Sequence, residues 1–408
     1  MKELLTKYAQ VIVEVGVNLQ KDEVLVVAAD VEVADMAREV VRQGYLAGAE
    51  RVIVLWRDEQ TSLMDYTLGE GRKALEPAPY ESGVWDWATD KKAAYVNLIS
   101  GDPELYADVD PALLAKASRV KRQLNAKFYH GTSVNDIKWC LVGVPTLPWA
   151  KKVCPDLPDE EAVARLWQLI AHTMRLDLSD SVAAWKEHTE ALHHRSAYLN
   201  GLDLAKLHYT NSLGTDLWVE LPQGYVFAGG SELSTSGVEF CPNMPTEEVF
   251  SAPYKYGVNG KVVASIPLFH NGAKVKNFGF RFEKGRIVDY WADEGLEVLK
   301  GIVDTDEGSH YLGEVALVPY DSPIQNLGVL FLDTLFDENA SCHLAIGEAY
   351  PSSIKGGVEM SDEQLEAAGL NVSHTHVDFM LGTKDLSIVG WDRQGVEHAI
   401  FVDGNFAF

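Results

Sequence analysis

Two histidines and an aspartate lie close together in the segment S-H-T-H-V-D-F-M-L-G, which runs from residue 373 to residue 382. In a β-strand, side chains two positions apart share a face, so the pattern predicts that His376 and Asp378 point in the same direction. Imidazole nitrogens and carboxylate oxygens are the donors that Zn²⁺, Co²⁺ or Mn²⁺ accept. The segment therefore predicts a metal site on a strand. His374 shares the same predicted face, so spacing alone does not decide which imidazole binds.

Further carboxylates and an imidazole lie next to apolar runs in the second half of the chain. Glu247 and Glu248 are neighbours, so one can bind a metal ion while the other, pointing elsewhere, handles a proton. Glu314 adjoins an apolar run, where a buried acid is costly unless it is paired or coordinated. His343 and Tyr350 add an imidazole and a phenol. This carboxylate-rich, cysteine-free set suits a hydrolytic site with two ions better than a structural zinc site.

The four cysteines are scattered without a C-x-x-C motif and are too few for a disulfide framework in a chain of this length. Cys342 adjoins His343 and could be read as a nucleophile beside a base. Neighbours in sequence rarely face each other, so the interpretation of Cys342 as a buried structural thiol is favoured. The N-terminus shows no export signal, and the cysteine usage predicts a reducing cytoplasm.

Length and charge exclude several classes of protein. The chain has 408 residues and a formal net charge of −25. Its length exceeds what one hydrophobic core usually supports, so two domains are expected. The negative charge would repel nucleic acid phosphates and anionic lipids, which excludes nonspecific binding to either. No apolar run approaches the roughly 20 residues that cross a bilayer, so no insertion into a membrane is expected.

The first half of the chain alternates predicted helices and strands. Helices are predicted at residues 1–19 and 33–47, and buried strands at residues 23–29, 51–56, 94–99 and 137–144. Strands separated by helices predict βαβ units and a mostly parallel sheet that is covered on both faces.

The turn after the first predicted strand does not suit a nucleotide. Residues 28–34 include two acids and no glycine. The chain also has no G-x-G-x-x-G or P-loop motif. An acidic turn would repel a pyrophosphate instead of binding it. This half is therefore interpreted as a scaffold, a substrate wall or a dimer surface.

The pattern changes after residue 158. Long helices are predicted at residues 159–176 and 180–199, and Gly201 ends the second of them. The remaining chain is rich in predicted short strands. The predicted class is α/β, with an N-terminal α/β domain of mostly parallel sheet at residues 1–200. A C-terminal strand-rich α+β metal-binding domain, the catalytic one, is predicted at residues 201–408.

The motifs, taken as a set, resemble the M29 family of metallo-aminopeptidases, the thermophilic aminopeptidase T group. The resemblance rests on N-M-P-T-E-E-V-F at residues 243–250, G-E-V-A-L-V-P around Glu314, H-L-A-I-G with Tyr350, and H-V-D-F-M-L-G at residues 376–382. Their order and spacing match along the C-terminal half, the chain length agrees, and the resemblance covers the whole chain.

The resemblance implies a dinuclear metal site and an exopeptidase. The implied ions are zinc or cobalt, with manganese as a further alternative. The implied protein is a two-domain homodimer that removes N-terminal amino acids from peptides with a free N-terminus. The family pattern favours His376 over His374 and Glu248 over Glu247 as ligands. The implied ligands are Glu248, Glu314, His343, Tyr350, His376 and Asp378.

Hydrolysis by a water molecule that two metal ions activate is the expected mechanism. Glu247, beside the ligand Glu248, is the expected general base, and Tyr350 is a second catalytic candidate. Three alternatives stay open: a metal-dependent hydrolase of non-peptide amides, a mononuclear-iron ring-cleaving oxygenase on a related fold, and an inactive protein that kept the fold. A facial triad of two histidines and one acid needs fewer carboxylates than this chain offers, which counts against the oxygenase.

Overall fold

The computed structural model describes residues 1–270 and 273–408. The α-helices in this part of the chain are α1 (Lys2–Val11), α2 (Ala34–Leu46), α3 (Glu59–Leu68), α4 (Arg72–Leu75), α5 (Pro79–Asp90), α6 (Pro111–Leu124), α7 (Ala126–Ser133), α8 (Leu147–Val153), α9 (Asp159–Thr173), α10 (Ser181–Gly201), α11 (Leu296–Val303), α12 (Thr334–Glu338) and α13 (Asp362–Ala368). None of the described helices is both long and apolar enough to cross a membrane.

The strands are, in chain order, β1 (Val24–Asp30), β2 (Arg51–Arg57), β3 (Ala94–Ile99), β4 (Trp139–Gly143), β5 (Leu204–Thr210), β6 (Asp216–Glu220), β7 (Glu232–Leu233), β8 (Glu239–Phe240), β9 (Asn243–Met244), β10 (Val249–Ser251), β11 (Val258–Val263), β12 (Leu268–His270), β13 (Ala273–Val275), β14 (Gly279–Glu283), β15 (Arg286–Trp291), β16 (Leu312–Leu317), β17 (His343–Gly347), β18 (His376–Met380), β19 (Ser387–Asp392), β20 (Glu397–Val402) and β21 (Asn405–Phe406).

Five parallel strands form the first sheet, in the order β2-β1-β3-β4-β9. Its first four strands lie where the sequence predicts them, to within two residues at each end. The opening helix differs, because α1 ends at Val11 and a π-helical turn, Ile12–Gly16, follows it. The β-branched run V-I-V at residues 11–13 crowds regular helix at this point. The α/β class predicted for this half is confirmed.

The carboxyl ends of β1, β2 and β3 carry a network of the protein's own polar side chains. The Arg57 guanidinium contacts the Asp30 carboxylate twice, Nε to Oδ1 at 3.1 Å and Nη2 to Oδ2 at 3.2 Å. Arg57 also donates to Asn97 Oδ1 at 2.7 Å, and the Ser100 hydroxyl donates to Asp30 Oδ2 at 2.7 Å. In this strand order, the crevice beyond β1 and β3 is where such sheets bind nucleotides. Here that end of the sheet carries an internal ion pair.

The chain divides into two compact units. The first contains residues 1–188 and 231–245, and the second contains residues 189–230 and 246–408. Because residues 231–245 include β9, a late part of the chain completes the first sheet. The domain limit at residues 200 and 201 stays a prediction.

Two antiparallel sheets dominate the second unit. Four strands pair in the order β10-β16-β17-β18, and eight pair in the order β15-β14-β11-β6-β5-β19-β20-β21. Both sheets contribute to one hydrophobic core, in which Leu344 and Ile346 of β17 and Ile388 of β19 are buried. The rings of Phe280 and Phe379 meet there, with centroids 5.0 Å apart. The strand-rich second half that the sequence predicts is confirmed, and it leaves one face of the four-stranded sheet for chemistry.

Candidate metal centre

The four-stranded sheet presents polar side chains on the face away from the hydrophobic core. Its antiparallel register places Glu314 of β16 opposite Ala345 of β17, and Ala345 opposite Asp378 of β18. His343 lies two residues before Ala345, and His376 lies two residues before Asp378, so the four polar side chains share one face. The small Ala345 side chain leaves space between the two carboxylates that flank it.

Glu248, Glu314 and His343 form the first of two groups of candidate metal ligands. Their ligand atoms lie within 4.8 Å of one another. Nε2 of His343 is 3.2 Å from Oε2 of Glu248 and 3.5 Å from Oε1 of Glu314. Glu248 reaches this face because it lies two residues before Phe250, which β10 places opposite Ala316. All three ligand residues are buried, so the group has little contact with bulk water.

Glu314, His376 and Asp378 form the second group, again with ligand atoms within 4.8 Å of one another. Nε2 of His376 is 3.5 Å from Oε2 of Glu314 and 3.2 Å from Oδ1 of Asp378. The side chains of His376 and Asp378 are 22% and 11% exposed, so this group is the more accessible of the two. Glu314 belongs to both groups and turns one oxygen toward each imidazole.

Backbone carbonyls fix both imidazoles in the orientation that a metal ligand needs. Nδ1 of His343 lies 3.1 Å from the carbonyl oxygen of Ser341, and Nδ1 of His376 lies 2.8 Å from that of Glu348. A carbonyl oxygen only accepts hydrogen bonds, so each Nδ1 carries a proton and donates it. The lone pair of each neutral imidazole is therefore on Nε2, which faces the carboxylates.

Gly347 allows the close approach that holds His376 in place. Its φ of +108° lies in the region that favours glycine, and a Cβ atom added there would lie 2.0 Å from the carbonyl oxygen of Thr375. Gly347 is also the residue that β17 places opposite His376. A side chain at this position would push β18 and its two ligands away from β17.

Carboxylates control the proton affinities of the cluster. Burial alone would lower the pKa of His376, but Asp378 and Glu314 outweigh burial and raise that pKa to about 10. In the same way, Glu248 and Glu314 raise the pKa of His343 well above its ordinary value. Burial raises the pKa of Glu314, and the neighbouring acids add to that effect. The cluster thus attracts positive charge strongly, as protons or as cations.

The residues present fit a divalent cation in each group. Oε2 of Glu248 is buried without a well-formed hydrogen bond, although Nε2 of His343 lies 3.2 Å away. Such an atom is costly to bury unless something compensates it. No lysine or arginine of the described residues pairs with Glu248, Glu314 or Asp378. A mixture of carboxylate and imidazole donors is what zinc, cobalt or manganese would satisfy.

Comparison with known proteins identifies the family. The sequence profile described as "Thermophilic metalloprotease (M29)" matches residues 1–406. The chain belongs to the M29 family. It is 43% identical over 404 residues to aminopeptidase AmpS of Bacillus subtilis, with 99% of this chain and 98% of that protein covered. The family and the enzyme class predicted from the sequence are confirmed.

Two solved structures resemble this M29 chain. Wild-type AmpT from Thermus thermophilus aligns over 100% of both chains, with a TM-score of 0.90 and 34% identity. The 2,5-dihydroxypyridine dioxygenase of Pseudomonas putida KT2440 aligns over 99% of this chain and 96% of its own, with a TM-score of 0.54 and 10% identity. The second likeness shows a common fold alone, since one fold can carry different chemistries. Membership in M29 supports the use of a divalent metal ion.

Tyr350, the predicted ligand that belongs to neither group, lies beside the second group. Its ring centroid is 5.1 Å from that of His376 and 5.8 Å from that of Phe250. Desolvation, and then the carboxylates of Glu314 and Asp378, raise the pKa of its hydroxyl well above the ordinary value. The residue as a whole is 48% exposed, so its ring lies at the open edge of the cluster.

Spacing in the sequence did not decide whether Glu247 and His374 are metal ligands. In the structure, neither residue belongs to one of the two ligand groups. His374 is exposed, and its backbone N–H donates to Asp306 Oδ2 at 2.6 Å. The imidazole that joins a ligand group is that of His376. Glu247 is buried, and burial lowers the pKa of Arg195 while the charge of Glu247 offsets part of that effect. Glu247 is therefore electrostatically linked to a guanidinium.

Sequence reasoning missed Glu338, at the end of α12. Burial, and then the charges of Asp378 and Glu248, raise the pKa of the Glu338 carboxyl well above its ordinary value. Asp378 and Glu248 belong to different ligand groups, so the Glu338 carboxyl is electrostatically linked to both groups. The segment D-E-N at residues 337–339 has no apolar periodicity or metal spacing, and no sequence signal points to it.

Cys342 lies next to His343 in sequence but on the other face of the sheet. It is buried in the hydrophobic core, where its Sγ lies 3.3 Å from the backbone nitrogen and 3.2 Å from the carbonyl oxygen of Val318. Burial raises the pKa of this thiol to about 12. A thiol that stays protonated and faces away from the imidazole is not an activated nucleophile.

Proposed function

We propose that this chain releases N-terminal amino acids from peptides with the help of two divalent cations, one in each ligand group. The observation that carries the proposal is the position of Glu314, with one oxygen 3.5 Å from Nε2 of His343 and the other 3.5 Å from Nε2 of His376. A carboxylate placed in this way suits a site in which two metal ions act together. Peptides as substrates are supported by the relatives, which are named as aminopeptidases.

The proposed ligands divide between the two ions. Glu248 and His343 would hold one ion, His376 and Asp378 would hold the other, and Glu314 would serve both. Tyr350 would complete the second site. Zinc or cobalt is the proposed metal, with manganese as a third option, because the donors are nitrogen and oxygen without sulfur. Bound cations at these positions would supply Lewis acidity that lowers the pKa of water and polarises the scissile carbonyl.

The protein's own groups would then manage protons and charge. Glu247 is the proposed general base, which takes a proton from the attacking water and passes it to the leaving amine. Tyr350 is the second proposed catalytic group, because a phenol that is not bound to a metal ion can donate a hydrogen bond to a developing oxyanion. The substrate would approach beside His376 and Asp378, the more exposed ligands. The acidity of this cluster favours the free ammonium group of a peptide's first residue.

The proposal also includes the oligomeric state and the cellular location of the protein. A homodimer is expected from the family resemblance, and a cytoplasmic location is expected from the scattered free cysteines. Analytical ultracentrifugation of the purified chain would test the first. Cell fractionation with an antibody against the chain would test the second.

The decisive experiment measures p-nitroaniline release from leucine p-nitroanilide before and after treatment with a chelator. Zn²⁺, Co²⁺ or Mn²⁺ is then added back, and N-acetyl-leucine p-nitroanilide serves as the blocked control. We expect the chelator to abolish activity, the metal to restore it, and the acetyl group to prevent it. Activity that is indifferent to the chelator would overturn the proposal. Metal analysis that finds one iron instead of two zinc or cobalt ions would favour the oxygenase alternative.

A further inference from the structure

Asn339 connects two parts of the candidate metal centre through a single buried amide. It follows the last residue of α12 and is completely buried. Its Oδ1 accepts the backbone N–H of Glu247 at 2.8 Å. Its Nδ2 donates to the carbonyl oxygen of Leu335 at 2.9 Å and lies 3.5 Å from Oε1 of Glu338. The acceptor and the donor ends of the amide thus have different partners, which fixes its orientation.

The first of these contacts bears on Glu248. Glu247 and Glu248 precede β10, which begins at Val249, so the strand pairing of β10 does not hold their backbone. The hydrogen bond from the Glu247 N–H to Asn339 is an anchor directly before the ligand residue. When the backbone beside a ligand residue is already fixed, less conformational entropy is lost as its carboxylate binds the metal ion.

The second contact bears on Glu338. Glu338 is the last residue of α12 and directly precedes Asn339. Nδ2 of Asn339 is the polar hydrogen donor beside Oε1 of the Glu338 carboxyl. The Asn339 side chain therefore contacts the backbone of Glu247 and the side-chain carboxyl of Glu338.

We propose that Asn339 is a positioning residue, which places the Glu248 carboxylate for the first metal ion and orients the carboxyl of its neighbour Glu338. This inference rests on the proposed two-metal function. The two ligand groups differ in this respect, because Glu248 belongs only to the first. The ligands of the second group lie within β16 and β18, whose pairing with β17 holds them. Loss of Asn339 should therefore weaken one metal site and spare the other.

The test uses the full-length Asn339→Ala variant and zinc as the probe. Zinc is titrated into the metal-depleted protein in competition with a chromogenic chelator, which reports the number and the affinity of the sites. The wild-type chain should bind two zinc ions. Loss of a group that orients a ligand typically weakens metal affinity by about 10- to 100-fold, and we expect this loss at one site only. Asn339→Leu replaces the alanine variant if the latter does not fold, since leucine has a similar volume and no acceptor.

Asn339→Asp separates the two contacts. It keeps an acceptor for the Glu247 N–H but loses the amide donor, which contacts both the Leu335 carbonyl and Glu338. We expect it to restore both zinc affinities while kcat for leucine p-nitroanilide stays below that of the wild-type chain. Asn200→Ala is the matched control, because Asn200 also accepts a backbone N–H and donates to a carbonyl, both of Phe227, at 2.7 and 2.9 Å. It should lower stability and leave both zinc affinities unchanged.

The outcomes separate this inference from the function on which it rests. A wild-type chain that binds fewer than two zinc ions would overturn the two-metal proposal itself. A wild-type chain with two zinc ions and an alanine variant with the same two affinities would overturn the inference alone. Equal weakening of both sites, together with a lower melting temperature, would show a merely structural role and would also overturn it. Wild-type kcat in Asn339→Asp would remove Glu338 from the inference.

Discussion

Two clusters of buried acids, one in each unit, differ in what neutralises them. At the edge of the first sheet, Asp30 has its own cation in Arg57, which contacts both carboxylate oxygens. On the four-stranded sheet, Glu314 and Asp378 face imidazoles, and among the described residues no lysine or arginine pairs with either acid. A buried acid that has a cation of the protein belongs to the architecture. Several buried acids that have imidazoles but no lysine or arginine beside them indicate a place for a cation from outside, because an imidazole can release its proton when a metal ion binds.

The largest expected effect comes from the acid that both ligand groups share. Glu314→Gln removes the charge that faces both imidazoles, so we expect neither zinc ion to bind tightly. Because metal ions supply several kcal/mol of transition-state stabilisation, kcat/KM should fall by about 1000-fold or more. Zinc titration and leucine p-nitroanilide assays measure both effects. Glu397→Gln, a change at an exposed acid, is the control and should behave like the wild-type chain. If the Glu314 variant still binds two zinc ions tightly, the claim that the acids of the four-stranded sheet hold external cations, unlike Asp30, would be wrong.

Glu247 and Glu338 make the comparison sharper, because one is linked to Arg195 and the other to the ligand acids. As the proposed general base, Glu247 changed to Gln should lower kcat by about 100-fold or more while both zinc ions stay bound. Glu338→Gln, measured in parallel, is the matched variant. Near-normal turnover in Glu247→Gln with a loss in Glu338→Gln would transfer the proton role to Glu338. Glu247 would then join Asp30 as an acid of the architecture.

The sequence predicts the ligands on strands and misses the residues that reach the site from elsewhere. The period-two spacing of His376 and Asp378 is enough to predict a shared face, because strand geometry is local. Glu314 is recognisable as an acid in an apolar strand. Glu338 ends a five-residue helix and Asn339 follows it, and only tertiary packing links them to the ligands. Local propensity does not encode that approach.

The strands of the first sheet are predicted well for a related reason. Buried parallel strands are continuous apolar runs, and the strand at residues 94–99 is predicted without error at either end. The membership of β9 in this sheet could not be predicted, since two residues from a distant part of the chain leave no pattern. The Asp30–Arg57 pair is also invisible in sequence. It depends on the order in which β1, β2 and β3 stand side by side.

A smaller effect is expected from breaking the ion pair of the first unit. Arg57→Met leaves the Asp30 carboxylate buried without its cation. Breaking a fully buried pair costs more, but the Arg57 side chain is 39% exposed, so we expect a loss of about 2 kcal/mol in the free energy of unfolding. Urea denaturation measures this loss. Adding Asp30→Asn should recover part of it, because no unpaired charge is then left. Zinc stoichiometry and kcat should be those of the wild-type chain, and a loss of either would show that this cluster is not purely structural.

The smallest expected effect tests whether Asp30 depends on its cation more than on its other contacts. Ser100→Ala removes the hydroxyl that donates to Asp30 Oδ2 at 2.7 Å and leaves both Arg57 contacts in place. We expect a loss of about 1 kcal/mol in the free energy of unfolding, since one hydrogen bond is removed while the charge stays paired. Ser133→Ala is the control at an exposed hydroxyl and should change little. If Ser100→Ala lowers the free energy of unfolding as much as Arg57→Met does, hydrogen bonding and not charge pairing stabilises the buried Asp30 carboxylate. The two clusters of acids would then differ in their hydrogen bonds and not in their cations.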